Sequence, residues 1–109
     1  MAQSRTKRLP PLPKSVHSHL GDIPVSLVDD LEEKKEALGM WEMAPRRISI
    51  HSKAAPEVQL QALYHEIVHV ALMDSGVSNG LVKDAEEAVC DAVGTLLASM
   101  SLAGRLKLT

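Results

Sequence analysis

Two kinds of hydrophobic spacing divide the chain. In Arg47-Ile48-Ser49-Ile50-His51 apolar and polar residues alternate, which is the period of a strand. Ile48 and Ile50 fall on one face, and Arg47, Ser49 and His51 on the other. The pattern predicts a half-buried strand with His51 at the surface. Met40 to Met43, followed by Ala44-Pro45, is its predicted hairpin partner. Upstream, Val16 to Leu20 and Ile23 to Val28 read as short extended segments around a Gly21-Asp22 turn, and Pro24 confines its segment to an edge or a strand start. Asp29 to Leu38 reads as a short helix, capped by Asp29 or Asp30 and stopped by Gly39.

Beyond Pro56, a residue suited to a first helical position, the period lengthens. Leu60, Leu63, Ile67, Val70 and Ala71 form one stripe at helical spacing, predicting a helix that ends near Asp74 to Gly76. A polar loop through Ser78, Asn79 and Gly80 follows. A second helix is predicted from about Asp84 to Ala103, with Val89, Val93, Leu96 and Met100 as its core stripe and Gly104 as its stop. The first 14 residues differ from all of this. Arg5, Lys7 and Arg8 lead into Pro10, Pro11 and Pro13, a density of proline that blocks helix and sheet ladder alike. They read as a flexible basic tail, leaving 15–109 as a single domain.

Hydrophobic residues make up 45% of the chain, yet Trp41 and Tyr64 are its only aromatics, so the core is expected to be aliphatic. Twelve basic against 14 acidic side chains give a net charge of -2, which excludes bulk attraction to a polyanion and makes nucleic acid an unexpected partner. A single cysteine, Cys90, excludes an intramolecular disulfide framework and a multi-cysteine zinc finger. It reads as a small buried hydrophobe. No apolar run approaches the length of a membrane span, and no apolar stretch follows the basic N-terminus, so a cytoplasmic protein is expected.

The chemistry stands in the first long helix, at His65-Glu66-Ile67-Val68-His69. Histidines four apart lie one turn apart on one helix face and can converge on a metal ion, with Glu66 beside them to hold a metal-bound water. The second helix offers a third ligand. Glu87 and Asp91 are four apart, and Gly94 and Ala98 continue their strip. Glycine is costly inside a helix and needs a packing reason, here the close approach of two helices. The expected arrangement packs this strip across the histidine face, with Glu87 completing the site and Asp91 accepting the free ring N–H of a ligand histidine. Glu86, the rival ligand, lies toward the expected core stripe.

These residues resemble a known family. His65-Glu66-x-x-His69 followed by Glu87 resembles the gluzincin metallopeptidases, and Glu87 to Thr95 is similar to the third-ligand helix of thermolysin-like enzymes. The short layout resembles the minimal zincin core of phage and bacterial proteins of the ImmA/IrrE-like type. The resemblance implies an α+β zincin-like fold, with a small, mostly antiparallel sheet packed on two long helices. It also implies zinc-dependent hydrolysis of a peptide or protein substrate, with Glu66 as general base, and substrate added as a strand along Arg47 to His51. Leu72 and Ser75 stand where metzincins need Gly and His, which excludes that class. An SprT-like, DNA-associated protease needs a third histidine that does not follow His69. The other reading is a non-catalytic adaptor or regulator on a zincin core, with a structural metal holding the helices together. Tyr64, His51, Arg46 and Arg47 are the candidates for an oxyanion-stabilising group.

Overall fold

Among the described residues, short runs of alternating, β-branched or aromatic character form four strands: β1 (Ser15–Val16), β2 (Ile23–Val28), β3 (Gly39–Met43) and β4 (Arg46–His51). The computed structural model describes residues 11–29 and 38–106. The strands form one sheet in the order β1-β2-β4-β3. β1 runs antiparallel to β2, with Val16 opposite Ile23. β2 runs parallel to β4, with Val25 opposite Ile48 and Leu27 opposite Ile50. β3 returns antiparallel to β4 through a turn at Ala44-Pro45, whose peptide bond is cis, and sets Trp41 opposite Ile48. Two long helices, α1 (Pro56–Asp74) and α2 (Lys83–Leu102), are joined through a 3₁₀ turn at Val77–Gly80. The fold is the expected α+β, zincin-like arrangement of a small sheet and two packed helices.

The core lies between sheet and α1. Ile23, Ile48 and Ile50 from the sheet meet Ala62, Leu63 and Val70 of α1, and Leu12, Val16, Val25, Trp41 and Ile67 close around them. α1 has the sheet on one side and α2 on the other, so it buries Tyr64, Glu66 and Val68 as well. A bidentate pair locks its far end. Arg46 donates to both carboxylate oxygens of Asp74 at 2.9 Å, and the Ser18 hydroxyl donates to the same group. The guanidinium holds the Asp74 carboxyl below the usual carboxylate range.

Three expectations are corrected by the packing. β4 is a central strand, paired on both edges, so Ser49 and His51 are buried along with Ile48 and Ile50. His51 is no surface residue. Its backbone carbonyl accepts from the Gln59 side chain, and its Nδ1 accepts from the Lys53 N–H, which ties the end of β4 to α1. For the same reason β4 cannot take an added strand; β3 is the sheet edge on that side among the described residues. Gly39 opens β3. The helix expected over residues 29–38 and the basic residues of the tail fall almost wholly outside the described residues. Of the tail's last residues, Leu12 packs on the core and the Lys14 carbonyl accepts from Val25 N–H.

The third correction concerns α2. Its buried residues are Cys90, Gly94 and Ala98, while Val93, Leu96 and Met100 of the expected core stripe are exposed. The cause is the closeness of the two helices. A Cβ on Gly94 would lie 3.0 Å from both the Cα and the N of His65, and 3.3 Å from the carbonyl carbon of Tyr64. Backbone meets backbone there, so only the smallest residues fit, and α2 turns its bulkier apolar residues outward. Gly94→Val should therefore force the helices apart and lower stability by about 1–3 kcal/mol. Gly80→Ala, where an added Cβ meets nothing within 4 Å, should stay within about 0.5 kcal/mol of the parent. Thermal or urea unfolding measures both, and an undiminished Gly94→Val would contradict the close crossing.

Candidate metal centre

The close crossing brings the histidine face of α1 against the polar flank of α2. His65 and His69, one turn apart, stand with ring centroids 5.0 Å apart and planes at 61°. Each ring is held by its own carboxylate. Asp91 Oδ1 lies 2.8 Å from His65 Nδ1, and Glu86 Oε2 lies 2.7 Å from His69 Nδ1. A carboxylate only accepts, so each Nδ1 donates to its own carboxylate and Nε2 is the ring atom left to meet a further group. Both Nε2 atoms face Glu87, whose two oxygens lie 3.0 Å from His65 Nε2 and 3.0 Å from His69 Nε2. A lone pair facing an anionic oxygen is repulsive. The geometry is satisfied only when a cation, a proton or a metal ion, sits between them.

Cys90 completes the cluster. One donor atom from each of His65, His69 and Cys90 lies within 4.8 Å of the others, a set able to coordinate a divalent metal. The thiol is fully buried between the helices. Burial, with the negative charge of Glu86, Glu87, Glu66 and Asp91 around it, pushes the thiol up to about 12. The same negative charge favours a cation at this spot. Two imidazoles with oriented rings, a thiol and an excess of carboxylates fit a divalent metal ion.

Glu66 does a different job from the three donors. It is buried at the start of β3, where a Cβ on Gly39 would lie 3.2 Å from its Cγ, and it accepts a hydrogen bond from the backbone of Trp41. Burial pushes its carboxyl up, and the two neighbouring histidines pull it part of the way back. It therefore ties the edge strand to α1. An open cleft runs between these elements, lined by Gly39 to Trp41 on one side and by His65, His69, Glu87, Asp91 and Thr95 on the other. Tyr64, His51, Arg46 and Arg47 are not among its lining residues; among the described residues Lys83 is the one Lys or Arg there.

This donor set overturns the metallopeptidase expected from the resemblance. A gluzincin holds its metal with His, His and Glu; the cluster assembled here is His65, His69 and Cys90. Hydrolysis, and with it the general-base role of Glu66, is not carried forward. Sequence reasoning passed over Cys90 because a lone cysteine in a helix reads as a small hydrophobe. Its position held the signal. Glu86, Cys90, Gly94 and Ala98 recur every four residues, and this row faces α1 together with Glu87 and Asp91, whose carboxylates meet the histidine rings. Glu86, set aside as a rival ligand, is the residue that holds His69.

No protein-family model, curated protein or solved structure matches the chain. Among the described residues no helix is long and apolar enough to cross a membrane.

A fully buried thiol pushed up to about 12 should not react. At pH 8 only about one thiol in 10⁴ is ionised, against roughly one in four for an ordinary cysteine. In metal-free folded protein, titration with a disulfide thiol reagent at pH 8 should therefore leave Cys90 unmodified, and denaturant should release one thiol per chain. Rapid labelling of the folded protein would show that Cys90 is not enclosed between the helices.

Proposed function

We propose that this chain is a non-catalytic, zincin-like adaptor or regulator whose two helices are held together by a structural zinc ion. The observation that carries the reading is the His65, His69 and Cys90 cluster at the crossing of α1 and α2. A thiolate and two imidazoles are a soft, nitrogen-and-sulfur set of the kind that selects zinc. Glu87, whose oxygens face both Nε2 atoms, is the fourth donor of the proposed site. Four protein donors leave no open position for a substrate, which is the mark of a structural rather than a catalytic centre. Asp91 and Glu86 orient the ligand rings.

When bound, zinc would supply cross-linking of the two helices and neutralise the carboxylates around them. The chain's own residues do the rest. His65 and His69 present Nε2, Cys90 gives up its proton on metal binding, and Glu66 keeps β3 against α1. The partner of such a module is a peptide or protein, and the free edge of β3 beside the cleft suits an added strand. A thiol ligand needs a reducing compartment, consistent with the cytoplasm. Kinship with ImmA/IrrE-like or thermolysin-like proteins is supported by layout alone, and only as to fold.

Zinc should bind at about one equivalent per chain and raise the unfolding free energy by about 2.7 kcal/mol at a free zinc concentration one hundred times the dissociation constant. Cys90→Ala and His65→Ala should abolish most of that increment, whereas Glu66→Gln should keep it. Asp91→Ala, which frees a ligand ring without removing a ligand, should weaken zinc affinity about 10- to 100-fold. Elemental analysis and calorimetric melting with and without zinc give all four values. Retention of the full zinc increment in Cys90→Ala would remove the observation on which the proposal rests.

A further inference from the structure

The outward face of α2 has no function in the account so far. Val93 is 39% exposed, Leu96 59% and Met100 37%, and Val89 sits half-buried at the head of the same stripe. Ala85, Ala92 and Ala103 border it at helical spacing. No charged residue occurs from Ala92 to Gly104. Soluble chains seldom leave such a face open to water.

We propose that this face is a self-association surface on which a second copy of the chain docks its own α2, antiparallel to the first. The spacing of the stripe supports that occupant. Val89, Val93, Leu96 and Met100 are separated by four, three and four residues, a pattern that reads the same in both directions. A two-fold axis between Gly94 and Thr95 then sets Val89 opposite Met100 of the second copy, and Val93 opposite its Leu96. Each large residue meets a large one, and the bordering alanines let the helices approach. A self-complementary patch of this kind closes as a dimer and leaves no open end.

Charge selects the orientation. All the acidic residues of α2, from Asp84 to Asp91, lie in its first half, while Arg105 follows its carboxyl end. An antiparallel copy brings unlike ends and opposed helix dipoles together; a parallel copy stacks like charges. The area sets the strength. A helix of 20 residues is about 30 Å long, and one apolar face of it offers less than the roughly 800 Å² per partner of a standard stable interface. The dimer is therefore reversible rather than obligate. The face lies away from His65, His69 and Glu87, so its pairing does not depend on the ligand set proposed above.

Sedimentation of the full, zinc-loaded chain from about 1 μM to about 500 μM tests this. The wild type should pass from monomer to dimer mass across the range. Leu96→Glu, at an exposed position, should remain monomeric, raising the dissociation constant at least tenfold, while its circular dichroism and zinc content stay those of the wild type. A short bifunctional thiol cross-linker adds the orientation, since Cys90 is enclosed: mixed Val93→Cys and Leu96→Cys chains should join to each other in preference to themselves. A wild type that stays monomeric throughout, a Leu96→Glu chain that still dimerises, or preferential joining of like chains would overturn the proposal.

Discussion

Everything distinctive in this structure depends on how closely α2 crosses α1. At Gly94 there is no room for a side chain, because an added Cβ would sit 3.0 Å from the backbone of His65. That approach puts the donor of Cys90 within reach of two imidazoles one turn apart, and it puts Glu86, Glu87 and Asp91 on their ring nitrogens. A helix pair spaced at the usual 8–10 Å by larger residues would leave the same side chains too far apart to share a cation. The crossing also explains the exposed apolar face. With small residues against α1, Val93, Leu96 and Met100 of α2 have nowhere inside to go.

The electrostatics of the crossing follow from the same geometry. Two imidazoles stand among four carboxylates and a buried thiol, and among the described residues Lys83 is the one Lys or Arg that lines the cleft. With a divalent ion between the Nε2 atoms and the thiolate, the repulsion between lone pairs and anionic oxygens becomes attraction. A metal held there would be an element of stability, joining helices whose fully buried α2 contacts are residues as small as Cys90, Gly94 and Ala98.

Much of the fold was legible in the sequence. The alternation at Arg47 to His51, the proline at residue 56 and the helical stripe through Leu63, Ile67 and Val70 place a strand and a helix where they are found. The motif at His65 to His69 identifies the face that carries the chemistry. What could not be read was which elements would be neighbours. Alternation says that one face of β4 is apolar, but not that strands pair on both of its edges, and so His51 was misplaced. Apolar spacing says that Val93, Leu96 and Met100 share a face, but not that this face would point away from α1; the close approach at Gly94 was legible, its consequence for the stripe was not. Cys90 sits beside the strip of Glu87, Asp91, Gly94 and Ala98, and spacing alone does not say that a small buried residue there comes within reach of both histidines.

The central claim is that the thiol of Cys90 binds the metal. X-ray absorption at the zinc edge of the loaded protein tests it most directly, because sulfur and nitrogen or oxygen scatter at separate distances. A Cys90 ligand should give one sulfur at about 2.3 Å together with nitrogen or oxygen neighbours at about 2.0–2.2 Å. A shell of nitrogen and oxygen alone, with no sulfur, would contradict it.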